Sequence, residues 1–274
     1  MSIEVLTMWY NEAQLAPYFL KHYAYADRIT LLYDADTSDN TLEIVRSAPN
    51  VSVIPFHFPD MMDDELKRDF LNAQYRQSQC DWVLCVDADE FVFYKEAETF
   101  VYDLHEFLAE RSKYDVFYVT LYQIYRHADD MDLNPREYPV PQRRHGDPNV
   151  STGINALYNK PILVRNGLNI QWTPGCHAVR LYSPPLRTLG LRKAARMFFH
   201  EHALPSLKPS PFPLLGAHWS MADPSFAIER RVKNRKERQS KNNLTKGMTR
   251  QHHTVTEESI MSEFNQHMHD VLLF

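Results

Sequence analysis

Four short apolar runs occur in the first 86 residues: Ser2–Met8, Arg28–Tyr33, Val51–Phe56 and Asp81–Val86. The first three are each followed by a stretch with helical spacing: Asn11 to about Tyr25, Asn40–Ser47 behind the candidate cap Asp39, and Asp64 to about Gln79. Repeated βα units of this length build a parallel sheet covered by helices. The expected class is therefore α/β, a three-layer α/β/α sandwich with a mostly parallel central sheet and a Rossmann-like nucleotide-binding half. Ligands of such sheets lie beyond the carboxyl ends of the strands. That rule singles out Trp9–Glu12, Asp34–Asp39 and Asp87–Glu90.

Glycine usage narrows the chemistry. The chain has seven glycines, and the first is Gly146. A Walker loop or a dinucleotide fingerprint needs glycine for backbone N–H groups to approach phosphate. The first 145 residues supply neither. A nucleotide bound there must be held by side chains or by a metal ion.

Downstream, a helix is expected over Ala97–Ser112 and strands over Val116–Tyr125, Pro161–Val164, Ala178–Tyr182 and Leu214–Trp219. Residues 129–153 form a polar loop, Pro205–Pro213 an irregular crossing, and Ser225 to about Lys241 a basic helix. One domain is expected over 1–274: a nucleotide-type half (1–125), a half that completes the site (126–241) and a C-terminal tail (242–274). The formal net charge of -5 argues against a dedicated nucleic-acid binder. No apolar run approaches membrane-span length, and the N-terminal residues lack a signal-peptide pattern. Three cysteines, Cys80, Cys85 and Cys176, fit neither a zinc spacing nor an even disulfide framework, which points to a reducing, cytoplasmic setting.

Asp87-Ala88-Asp89-Glu90 is the sharpest chemical signal. An apolar strand delivers three carboxylates within four residues to its exposed end. Such acids repel one another unless a cation joins them, and a hard Mg²⁺ or Mn²⁺ ion would share them with substrate phosphates. The plainer reading is a solvated acidic turn. Asp34 and Asp36 end the second strand similarly. Capping accounts for Asp39, whereas a carboxylate directly at the strand end, Asp34, suits a base or ribose hydroxyls.

WYNEAQLAPYFLKHY, DRITLLYDADTSDNTLEIV and CDWVLCVDADEFVF resemble, in order and spacing, the nucleotide-binding half of family 2-like glycosyltransferases of the GT-A fold. NKPILVRNG, GCHAV and LLGAHWSMADPSFAIERRVKNR resemble that group's later segments. The second segment is one residue shorter than the family pattern, with Asp34 able to fill the strand-end role. The resemblance implies metal-assisted, inverting transfer of a sugar from a nucleotide-diphosphate sugar to a glycan, polysaccharide or lipid-linked saccharide. It implies Asp89 and His218 as metal ligands, with Asp87 bridging to ribose or metal. Tyr10, Asn11, Glu12, Asp34 and Asp36 would hold base and ribose. Lys67, Arg68 and Asn72, on the helix before the metal strand, could meet diphosphate or sugar oxygens or simply form a solvated charged face.

The base that takes the acceptor proton stays open among His177 (in GCHAV), Glu201, Asp223 and Asp147 of the polar loop, with His177 ranked first, then Glu201, then Asp223. Residues 229–250 hold nine Lys/Arg and two Glu. They read as a solvated helix, as a source of phosphate ligands through Arg230 or Lys233, or as a peripheral contact with the inner face of a membrane. Two other functions compete. LLYDADTS locally resembles the nucleophile strand of haloacid-dehalogenase-like phosphatases, and a non-catalytic nucleotide-sugar-binding module would need the same contacts.

Overall fold

The computed structural model describes residues 1–148, 158–181, 207–236, 238–247 and 254–274. The chain opens as β1 (Ile3–Trp9), α1 (Ala16–His22), β2 (Arg28–Asp34), α2 (Thr41–Arg46), β3 (Val51–Phe56), α3 (Asp64–Tyr75) and β4 (Trp82–Cys85). It continues as β5 (Glu90–Glu96), β6 (Thr99–Val101), α4 (His105–Glu110), β7 (Val116–Tyr125), α5 (Pro139–Gln142), β8 (His145–Asp147), β9 (Asn159–Arg165), β10 (Ile170–Trp172) and β11 (Val179–Leu181). It closes as β12 (Leu214–Met221), α6 (Pro224–Ala227) running into a π-helix (Ile228–Arg235), α7 (Lys241–Lys246), α8 (Glu257–His267) and β13 (Val271–Leu272).

Among the described residues the class is α/β, with a central sheet in the order β3-β2-β1-β4-β9-β7-β12-β5-β6. β3, β2, β1 and β4 are mutually parallel, as is the β7–β12 pair. β9 joins the two parallel blocks antiparallel to both neighbours, so the sheet is mixed beyond β4. The chain runs outward from β1 to β2 and β3, then returns to place β4 on the other side of β1. That reversal opens a crevice beyond the carboxyl ends of β1 and β4, where α/β sheets bind ligands.

β1, β2 and β4 are buried nearly throughout, as strands covered on both faces require. Trp9, Phe19, Tyr23, Trp82, Phe91, Phe93 and Trp219 fill one continuous core. α3 starts where Asp63 caps the amides of Glu65 and Leu66 at 2.9 and 3.1 Å. α6 starts on Asp223 with Pro224 in its first turn. No helix among the described residues is long and apolar enough to cross a membrane.

Several expected elements differ. The polar loop expected over 129–153 carries α5 and β8, which pairs with β7 and β13, and the basic helix expected to about Lys241 ends at Arg235. The helix expected from Asn11 begins at Ala16. Asn11 adopts a left-handed conformation (φ 50°), which asparagine tolerates, and its Oδ1 accepts the Ser38 amide at 2.8 Å. The helix expected over Ala97–Ser112 shrinks to α4. Ala97 (φ 53°) instead turns the β5–β6 hairpin, and Glu90–Glu96 forms a strand paired with β12. After residue 242 the chain stays on the fold: Ile260 and Phe264 of α8 pack with Tyr125, Met221 and Ala227. Phe274 meets Phe93 edge-on.

Candidate functional site

The acids at the strand ends converge on the crevice, and each faces a side-chain cation. Glu12, just past β1, lies 2.9 Å from Nε of Arg230. Arg230 Nη1 also donates to Asp89 Oδ2, and all three side chains are buried. Glu12, expected to hold base or ribose, is therefore half of a buried ion pair. Arg230 reaches it from the π-helix, whose wider turn presents Arg230 and Asn234 inward. π-helical turns often mark functional positions.

Asp87 pairs with Lys67 of α3 at 2.6 Å, and Glu90 with the buried Lys160 of β9 at 2.5 Å. Burial would raise the Asp87 carboxyl, but Lys67 and Lys160 outweigh it and hold it well below the usual range. Asp89 behaves alike: burial opposes ionisation, and Arg230 and His218 override it. Glu12 goes the other way, because its burial exceeds the help from Arg230 and raises its pKa. Burial works against the Lys67 charge, yet Asp87 raises it overall.

His218 of β12 places Nε2 3.3 Å from Asp89 Oδ2. Its Nδ1 lies 2.8 Å from Gln123 Oε1, which also accepts from Ser220 at 3.1 Å. Asp89 Oδ1 is buried with no hydrogen-bond partner among the described residues. An imidazole fixed from behind, beside an orphaned carboxylate oxygen, fits two ligands of a hard cation. Among the described residues no three His, Cys, Asp or Glu side chains group to hold a metal. A divalent ion here would therefore draw its remaining ligands from phosphate oxygens and water.

At the other end of the crevice Asp34, fully buried, accepts from the Asp36 amide at 3.0 Å and from Arg238 at 2.9 Å. Arg238 also lies 3.4 Å from Asp36 and stacks on the Tyr10 ring, 3.5 Å from its centroid. A cleft runs between the two ends, lined by Trp9, Tyr10, Phe56, Phe58 and the cations Lys67, Arg230, Arg235 and Arg238.

Most of the sequence-derived residues gather here. Tyr10, Glu12 and Asp34 line the cleft; Asp87, Asp89 and His218 stand at its inner end. Asn11 ties the loop after β1 to that after β2 and to Asn234. Arg68 pairs with its neighbour Asp69 at 2.7 Å, and it is Lys67 that faces the acids. Asp223 caps α6 and lies 3.4 Å from Arg126. Glu201 lies outside the described residues. His177 is exposed on the turn that begins with a 3₁₀ turn at Pro174–Cys176; a Cβ on Gly175 (φ 68°) would meet its Nε2 at 2.6 Å. Lys160, Arg238 and Gln123 were not singled out from sequence. Their only signal is polarity inside an apolar strand for Lys160 and Gln123, and membership of a basic run for Arg238. Lys233 faces outward and pairs with Glu229 at 2.9 Å.

No family model matches the chain, and no curated protein matches it. Among solved structures, Staphylococcus aureus TarS 1–349 in complex with UDP-GlcNAc is 14% identical over 97% of this chain and 72% of that chain, with a TM-score of 0.42. Its complex with UDP is 15% identical with the same TM-score, and a mycobacterial protein is 14% identical over 68% of each chain at 0.35. The chain spans 43% of the longer TarS structure, at 13% identity.

Proposed function

We propose that the chain transfers a glycosyl group from a nucleotide-diphosphate sugar to the hydroxyl of a saccharide acceptor. The observation that carries this reading is the cleft at the sheet reversal. It joins aromatic walls and a buried carboxylate at one end to Lys67, Arg230, Arg235 and Arg238 along its side. Those features complement a planar base and a polyanion respectively.

In this reading the base takes the place of the Arg238 guanidinium on Tyr10, and Asp34 accepts from the base or ribose. Displaced, Arg238 joins the cations facing the phosphates. The bond from the sugar C1 to the diphosphate breaks with its electron pair leaving on the diphosphate, while the acceptor oxygen bonds to C1. Lys67, Arg230 and Arg235 stabilise the charge that develops on the leaving group. A Mn²⁺ or Mg²⁺ ion on Asp89 and His218 would add Lewis-acid neutralisation there. In an inverting transfer the acceptor proton passes to a base on the opposite face, for which His177 is the candidate.

The test titrates UDP, GDP and CDP with and without Mn²⁺ and follows melting. One nucleotide at about 100 times its Kd should raise the melting temperature by roughly 5 °C. Arg230→Met and Asp34→Asn should each remove most of that rise. No stabilisation by any nucleoside diphosphate would overturn the reading. Phosphate-ester hydrolysis lost in Asp34→Asn would favour the phosphatase instead.

A further inference from the structure

Two of the three cysteines meet in the interior, away from Asp34 and the aromatic end of the cleft. Cys85 ends β4, and Cys176 belongs to the turn between β10 and β11. Their Sγ atoms are 3.4 Å apart, although 91 residues separate them in sequence. Both are buried, at 2% and 8% exposure. Both line a second, narrow cavity together with Lys67, Asp87, Lys160 and Trp172.

The backbone is arranged to make this contact. Gly175 (φ 68°) and Cys176 (φ 55°) are successive left-handed residues. A non-glycine residue in that region costs on the order of 1 kcal/mol. The bonds that hold the turn run from the Thr173 amide to Ala178 O at 2.9 Å and from the Ala178 amide to Thr173 Oγ1 at 3.0 Å. The turn thus directs the Cys176 thiol at the end of a rigid central strand.

We propose that Cys85 and Cys176 form a site of reversible covalent modification, closing to an intramolecular disulfide when a small oxidant of the peroxide class enters the second cavity. One thiolate attacks hydrogen peroxide, giving a sulfenic acid and hydroxide, which takes up the released proton as water. The other sulfur displaces the sulfenic oxygen as a second water, and the S–S bond forms. In sum two S–H bonds and one O–O bond are exchanged for one S–S bond and two waters, and the peroxide is the species reduced. The link joins the turn that carries His177 to the strand that ends two residues before Asp87. It stands whether or not the proposed transfer is correct.

The test uses the wild-type protein, native, treated with hydrogen peroxide, then alkylated and denatured. Free thiols should fall from three to one. Peptide mapping should link the Cys85 and Cys176 peptides and leave Cys80 alkylated. The melting temperature should rise by roughly 5–10 °C, as closing a loop of this length predicts, and dithiothreitol should reverse it. Cys80→Ser should leave no free thiol after oxidation, and Cys85→Ser should form no intramolecular disulfide. Three free thiols after treatment would overturn the proposal. So would oxidation confined to Cys80, or sulfinic acid on Cys85 without the link.

Discussion

Replacing Arg230 by leucine tests the electrostatic core of the site. Arg230 is 4% exposed and serves two buried carboxylates, Glu12 and Asp89. Removing one member of a buried pair typically costs about 3–5 kcal/mol, because the charge left behind is uncompensated. Here two are left, partly relieved for Asp89 by His218 at 3.3 Å. A loss of about 4 kcal/mol near neutral pH is expected from urea unfolding followed by tryptophan fluorescence. The sign of the pH dependence is the sharper check. In the wild type Arg230 helps hold Asp89 below its usual value, so that contribution is present at neutral pH and lost as pH falls. Without Arg230, burial raises both carboxyls above their unfolded values. Their neutral forms then favour folding at low pH, and stability is lost as pH rises through the raised values. The deficit should therefore shrink between about pH 7 and pH 4. Adding Glu12→Gln and Asp89→Asn to the variant should recover at least half of it, and Mn²⁺ should stabilise Arg230→Leu more than the wild type. A deficit under about 1 kcal/mol, or one constant with pH, would refute the reasoning.

Other outcomes follow from single observations. His22 is buried against Val92 O at 2.8 Å, and burial lowers its pKa to about 3. Protonation therefore favours the unfolded chain: stability is complete above about pH 6.5, and about 3 kcal/mol should be lost by about pH 4.5. His22→Gln should flatten that slope in acid unfolding curves. Gly175→Ala and Gly167→Ala both place a side chain at positive φ (68° and 80°), but only the first meets a neighbour, the His177 ring at 2.6 Å. Chemical denaturation should show about 1 kcal/mol for Gly167→Ala and more for Gly175→Ala; equal costs would count against the contact. Tyr10→Ala should weaken nucleoside diphosphate binding about tenfold in calorimetry through lost stacking, while leaving binding of inorganic pyrophosphate unchanged.

The parallel block is legible because each strand is an apolar run, and its acidic ends because two of them lead into carboxylates, β2 at Asp34 and β4 at Asp87. The local rule and the tertiary structure agree at Asp34, Asp87 and Asp89. β5 and β6 were missed because Glu90–Glu96 directly follows the acidic turn, and the residues after Ala97 carry a helical pattern that the hairpin overrides. The partners of the acids were the least visible. Arg230 lies 218 residues from Glu12, and Arg238 lies 204 from Asp34. No local pattern encodes a pairing at that separation, and a basic run looks the same in sequence whether its members face solvent or neutralise a crevice.

The segment after the π-helix is fastened at its back. The Met62 amide donates to Arg238 O and the Ser240 amide donates to Met62 O, at 3.0 Å each. Asp63 accepts from Ser240 and Asn242 at 2.9 and 2.8 Å, and the Asn243 side chain bonds Met62 O at 3.1 Å. The N-terminal block supplies the carboxylates, and Arg230, Arg235 and Arg238 arrive on a stretch anchored to the start of α3. Two separately expressed pieces, cut within 182–206, would each carry unbalanced charge, yet the anchor gives them a defined place to rejoin. Fragment complementation across that cut is the behaviour this fastening implies, with neither piece retaining a formed crevice alone.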